Sequence, residues 1–256
     1  MTRTETVDVL ESAVAIERAG GASPVVVICD HASNEIPTRY RGLGLSAADL
    51  EQHFAWDPGA LAVSRRLSEM LDAPLVYGRV SRLVIDVNRN PTDSDSIVVS
   101  GEGTPVPGNQ NLSPSERRQR VAEVYEPYHA ALDAVLRERA VSGRLSVLVA
   151  VHSFTPSLHG VARPWHCGVL FADNRRVADP LVDALRREDG LNVGVNEPYA
   201  PSDRVYHTLS RHGDCNGLPT AMIEIRNDLV VRADDQNAWA RRLARALREA
   251  IEGTLL

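Results

Sequence analysis

Along the chain, short unbroken apolar runs alternate with longer stretches in which apolar residues recur at helical spacing. The runs at 24–30 (PVVVICD), 73–80 (APLVYGRV), 81–88 (SRLVIDVN), 144–154 (RLSVLVAVHSF), 166–173, 191–198 and 218–228 (LPTAMIEIRND) are short, rich in β-branched residues and bounded by polar or turn-forming residues. They predict buried strands. Helices are predicted over 46–55 with Ser46 as N-cap, and over 57–73 with Asp57 as cap, Pro58 at the first helical position and Leu61, Leu67 and Leu71 on one face. A long helix over 113–140 opens with a Ser113–Glu116 capping box and should kink at Pro127. Further helices fall at 175–189, 203–213 and 233–253.

Six or seven strands separated by helices imply an α/β fold: three layers, α/β/α, around a mainly parallel (mixed) central sheet. No composition break divides the chain, so a single domain over 1–256 is expected, with 1–22 as an N-terminal extension. The stretch 89–112 is rich in Pro, Gly, Ser and Asn, and a loop of that length inside a compact domain serves function or moves. Together with 153–165, it is expected to wall a pocket.

The strands end in reactive residues. Residues 24–30 lead into Asp30 and His31; "LVAVH" ends on His152; "LVIDV" is followed by Asn88 and Arg89; "AMIEI" carries Glu224 and Arg226. Ligands of open α/β sheets bind at the carboxyl edge of the strands, so these runs should deliver histidines, a carboxylate and arginines to one rim. That set suits a hydrolytic metal site, in which neutral imidazoles and one carboxylate hold the ion and leave a position for water. Each residue also has an ordinary explanation. A strand-end His is commonly a hydrogen-bonded structural group, and Glu224 could pair with Arg226 on the same strand face. Arg82 and Arg89 could bind a substrate carboxylate or pair with Asp86. Asp57 is accounted for as a helix cap, and His53 as an amphipathic-helix residue.

Composition narrows the classes. The chain is 43% hydrophobic but only 5% aromatic, so its core is aliphatic. A net charge of −6 argues against nucleic acid as a partner while allowing a local cationic pocket for a small acidic substrate. Cys29, Cys167 and Cys215 are scattered and match no disulfide or metal spacing, which suits a reducing cytoplasm. No signal-peptide core and no apolar run of membrane-spanning length is present, so a cytoplasmic protein without a membrane partner is expected. Homo-oligomerisation stays open.

The segments VVVICDHASNEIP, HFAWDPGA, SRLVIDVNRNP, AVHSF and GLPTAMIEIRNDL, in this order, resemble the N-formylglutamate amidohydrolase family, over roughly residues 24 to 250. The resemblance implies a phosphorylase/hydrolase-like α/β/α fold related to zinc carboxypeptidases and aspartoacylases. It also implies metal-dependent hydrolysis of an N-acyl amino acid, in the type case N-formylglutamate to formate and glutamate. Carried over, it makes His31 and His152 ligands of one divalent ion, zinc by preference, and Glu224 the catalytic glutamate. Asn88 and Arg89 become a pair gripping a substrate carboxylate, with Arg82 as a second anion-binding arginine and Arg226 as a further candidate. The carboxylate ligand stays open between Asp57, in WDPGA, and Glu35, which lies four residues after His31 where the related pattern has three. Asp57 is favoured. Asp30, beside His31, could orient a ligand histidine from behind.

Overall fold

The computed structural model describes residues 12–255. The central sheet has seven strands in the order β1-β3-β2-β6-β11-β9-β10. In chain order the strands are β1 (Val14–Glu17), β2 (Val25–Cys29), β3 (Leu75–Gly78), the small hairpin β4 (Ser100–Gly101) and β5 (Thr104–Pro105), and β6 (Val147–Phe154). They continue with a second small hairpin, β7 (Ser157–Leu158) and β8 (Val161–Ala162), then β9 (Cys167–Leu170), β10 (Val193–Val195) and β11 (Thr220–Arg226). β2 runs parallel to β3 and β6, β6 to β11, and β9 to β10; β1 is antiparallel to β3, and β9 to β11. Helices pack on both faces, as the alternation along the chain implies. Alternate residues of β2 enter opposite cores: Val25, Val27 and Cys29 pack with α2 (Ala60–Leu71), α5 (Ala178–Arg186) and α7 (Ala233–Leu255), while Val26 and Ile28 pack with α4 (Glu126–Val141) and α6 (His207–His212).

Three expectations change. First, of the expected N-terminal extension, residues 1–11 lie outside the described residues, and Val14–Glu17 is not an appendage but the antiparallel edge strand β1. Second, 81–88 is buried as predicted but is not a strand. Its carbonyls are taken up by side chains instead: Asn109 Nδ2 donates to Leu83 O at 2.8 Å, Arg120 Nη1 to Val84 O at 2.9 Å, and His129 Nε2 bonds Val87 O at 3.0 Å. Buried backbone must be paired, but sheet neighbours are not the only partners. Third, the helix after Asp57 begins at Ala60 with Gly59 as its cap, at φ 82. A Cβ on Gly59 would lie 2.6 Å from the Val230 side chain, so only glycine permits this left-handed turn here. The Asp57 carboxylate is thereby free of capping duty.

Two helices behave nearly as expected. Ser46 forms its capping box with Asp49, but the helix, α1 (Ala47–Leu50), is short, ending where Asn34 Nδ2 donates to the Leu50 carbonyl. His53 therefore lies beyond the helix. The long helix runs as α3 (Pro114–Arg120), a π-turn over Val121–Tyr125 and α4. The wider turn falls just before Pro127, where a proline ring crowds the preceding carbonyls.

Candidate metal and catalytic centre

The carboxyl ends of the neighbouring parallel strands β2, β6 and β11 meet at a cavity of about 100 Å³. It is lined by His31, His53, Asp57, Arg82, Asn88, Arg89, His152, Ser153, Tyr199, Val205 and Glu224. Asp30 and His31 follow β2 directly; His152 and Glu224 are register partners on β6 and β11. Asp57 comes from the turn ahead of α2, and its backbone N–H is fixed on the His31 carbonyl at 2.9 Å.

At the centre, Asp57 Oδ2 sits 2.8 Å from His152 Nδ1 and 3.3 Å from His31 Nδ1. One donor atom from each of these three buried residues lies within 4.8 Å of the others. The far nitrogen of each ring meets another carboxylate: His31 Nε2 with Asp86 Oδ1 at 2.7 Å, and His152 Nε2 with Asp30 Oδ2 at 2.9 Å. In a neutral ring, the carboxylate behind it holds the proton on Nε2 and leaves the Nδ1 lone pair directed inward, free to bind a cation. Asp30 is held in turn by hydroxyls donated from Tyr128 and Thr208, at 2.8 and 2.7 Å. Asp86 receives Arg82 through Nη2 and Nε at 2.6 and 3.1 Å, and the Asn88 N–H at 2.9 Å.

Burial opposes charge on all three aspartates, yet each stays ionised. The imidazoles hold Asp57 well below the ordinary carboxylate range, His152 leads in drawing Asp30 down to about 2, and Arg82 leads in holding Asp86 well below the usual carboxylate range. Asp86 is paired with Arg82 and has Arg89 Nε 3.9 Å away, whereas Asp30 and Asp57 leave two buried negative charges beside two imidazoles. Such an excess is costly unless cations meet it. A divalent ion on the inward nitrogens and Asp57 meets it, and Asp57 Oδ1, buried without a hydrogen-bond partner, is a further donor atom there. The residues present therefore fit a divalent metal.

Glu224 differs from the aspartates. Its Oε2 has no hydrogen-bond partner, and burial pushes its carboxyl up to about 7, with His152 opposing and Asp57 adding to the shift. The alternative pairing with Arg226 does not form: Arg226 turns to Asp228 at 2.8 Å and does not line the cavity. Glu35 is likewise outside the cluster, with an exposed side chain. The turn after β2 carries it away from the cavity, so His31 and Glu35 are not brought together. Asn88 lines the cavity, but its amide is spent on α6 and the segment before it, donating to Val205 O and accepting from the Thr208 N–H. Arg82 is fully engaged, with Nη1 also 3.6 Å from Asp57 Oδ1. Arg89 bonds Asp95 and the Asp203 carbonyl through Nη1 alone.

His53 reaches the cavity wall, where its Nε2 bonds the Ser153 carbonyl at 2.6 Å. Tyr128, Thr208 and Tyr199 carried no sequence signal for the site, since each arrives through tertiary packing from a different helix or loop.

Gene product Atu2144 from Agrobacterium tumefaciens shares this fold with a TM-score of 0.92 and 42% identity, over 94% of this chain and 96% of that one. N-formylglutamate amidohydrolase from Ralstonia eutropha JMP134 superposes with a TM-score of 0.65 at 19% identity, over 94% and 98% of the two chains, a likeness of fold. None of the curated proteins compared matches the chain. The N-formylglutamate amidohydrolase family model matches residues 23–231, a span that contains the whole cluster from Asp30 to Glu224. On that match the chain belongs to the N-formylglutamate amidohydrolase family and is an amidohydrolase.

Proposed function

We propose that the protein hydrolyses the amide of an N-formyl amino acid, N-formyl-L-glutamate to formate and L-glutamate in its specific form. A divalent ion, zinc by the character of its donors, would be held by His31, His152 and Asp57. The observation that carries this reading is the convergence on one cavity of that three-residue cluster, a buried carboxyl with a pKa near 7, and arginines. When bound, such an ion lowers the pKa of water and polarises the carbonyl under attack.

Glu224 takes the proton of the attacking water and returns it to the leaving amine, a shuttle suited to a carboxyl poised near neutrality. Arg89 holds the substrate carboxylate, because its Nη2 edge carries no hydrogen bond among the described residues. Arg82 is committed to Asp86 and Asp57, so it supplies positive field at the cavity wall. Asn88 positions the wall through Val205 and Thr208. Holding the substrate at the carboxylate fixes the amide near Glu224, where orientation contributes to rate.

The test is formate release from N-formyl-L-glutamate and a panel of other N-formyl and N-acetyl amino acids, with and without chelator. Glu224→Gln should retain its metal and lose on the order of 10²–10⁴-fold in turnover. Undiminished activity after chelation, or in a metal-replete Glu224→Gln protein, overturns the mechanism. Turnover of another N-acyl amino acid in place of N-formyl-L-glutamate corrects the substrate and keeps the class.

A further inference from the structure

A concavity larger than the catalytic one lies at the opposite end of the sheet. It measures about 560 Å³, against about 100 Å³ at the catalytic centre. Ser146 and Pro219, which line it, immediately precede β6 and β11, so the groove opens at the amino ends of the strands whose other ends carry His152 and Glu224. Its volume falls in the range of small-molecule sites.

The lining combines two chemistries. Leu136, Leu145 and Leu218 supply an apolar surface, with Leu145 55% exposed. Around it stand Arg137, Arg144 and Arg176. The chain contains no lysine, so every fixed cation is an arginine, and many exposed ones pair with acids, as Arg175 does with Asp179 and Arg232 with Asp235. The three at the groove form no ion pair among the described residues. Arg144 donates only to the Gly20 and Gly21 carbonyls, and Arg176 only to the Asn174 side chain and the Gly217 carbonyl. The acid in the lining, Asp133, is bound to His212 Nδ1 at 2.9 Å. In a protein of net charge −6, a concave apolar surface ringed by three uncompensated guanidiniums is a local anion receptor.

We propose that this groove is a second ligand site, for a small organic anion with an apolar body. The apolar surface covers the body, and the guanidiniums take the carboxylate or phosphate. No group in the lining is arranged as a nucleophile or as a free acid–base pair, since His212 and Asp133 satisfy each other and His212 Nε2 is bound to His129 Nδ1 at 2.7 Å. The ligand is bound there and not turned over. His212 also reports on the site: it is buried and lines the groove but not the catalytic cavity.

The test uses hexanoate and hexyl phosphate as probes and hexylammonium as the charge control, with the metal-loaded full chain. Saturable binding by calorimetry is expected for one or both anions and not for the cation; which anion binds more tightly distinguishes a carboxylate from a phosphate ligand. The His212 imidazole resonances should shift on titration while those of His31 and His152 stay fixed. The exposed triple change Arg137→Gln, Arg144→Gln, Arg176→Gln should weaken binding by about tenfold or more while leaving circular dichroism unchanged. Absence of saturable binding overturns the proposal. So does binding that survives the triple change but is lost in Arg89→Gln, which locates the anion in the catalytic cavity. A change of oligomeric state in the triple variant, seen by sedimentation, assigns the groove to a second copy of the chain and also overturns it.

Discussion

The two histidine arms of the candidate centre are built alike near the middle and differently at the back. His31 and His152 share Asp57, and each leans on a second buried aspartate. Behind His152, Asp30 is held by two neutral hydroxyls, Tyr128 and Thr208, so its full negative charge faces the ring. Behind His31, Asp86 is clamped by the Arg82 guanidinium, which draws off part of that charge. Burial opposes protonation of both rings; the Asp30 and Asp57 hydrogen bonds raise His152 well above its ordinary value, whereas Arg82 works against Asp86 and Asp57 at His31, which rises less. On the proposed function, the outer partners would then set the donor strength of two chemically identical ligands. His152 would be the stronger donor and the firmer anchor, while His31 is linked through Asp86 to Arg82 on the cavity wall.

The largest effect expected from breaking this asymmetry comes from the two outer aspartates. Asp30→Asn and Asp86→Asn should each weaken metal affinity by about 10–100-fold, with Asp30→Asn the more severe. Asp86→Asn also releases Arg82 from its main partner, so it alone should change KM for an anionic substrate in metal-saturated protein. Chelator competition for the metal, followed by steady-state kinetics at saturating metal, separates the two. Equal losses of affinity, or an Asp30→Asn protein with the larger KM change, would contradict the comparison.

How far the sequence shows these arms follows from the kind of signal each residue leaves. His31, His152 and Glu224 are legible because they end or interrupt apolar runs near the strands' carboxyl ends, and the strand carboxyl edge is where α/β folds place ligands. Asp57 is half legible: the Asp-Pro start explains it as a cap, and only the close approach of Gly59 to Val230 shows the helix beginning two residues later. The run 81–88 is legible as buried and misleading as a strand, because an apolar run reports burial and not which groups satisfy its backbone. Asn109, Arg120 and His129 do so from distant points in the chain. Glu35 looks like the natural partner of His31 by spacing, but the chain turns at Asp30–His31 and leaves it exposed. That same turn lets Asp30 reach His152, which an extended strand would not. Tyr128 and Thr208 are illegible for a simple reason: their meaning depends on packing that no local pattern encodes.

A smaller effect should appear in the metal-free protein on changing pH. Both histidines are raised above their unfolded value of about 6.5. A folded state that binds protons more tightly gains stability that is fully present below the unfolded pKa and is lost as pH rises through the folded one. Melting temperatures of metal-free protein should therefore fall as pH rises above the ordinary histidine value of about 6.5 and through the raised folded values, while those of metal-loaded protein, whose ion replaces those protons, fall less. Imidazole resonances should show His31 losing its proton at lower pH than His152. The reverse order would mean that Arg82 does not weaken the His31 arm.

The smallest effects are expected from the two hydroxyls behind Asp30. Tyr128→Phe and Thr208→Val each remove one neutral donor from a buried carboxylate, and hydrogen bonds to charged groups contribute about 1.5–3 kcal/mol. Because both hydroxyls donate to the same atom, Asp30 Oδ1, the survivor can recentre when one is lost. The double variant should then lose more stability than the sum of the single variants, with the coupling read from denaturant unfolding of metal-free protein. Neither single change alters the charge behind His152, so metal affinity should fall far less than in Asp30→Asn. If Tyr128→Phe weakened the metal as much as Asp30→Asn does, the charge of Asp30 would not be what distinguishes the two arms, and the orientation its hydroxyl donors impose would take its place.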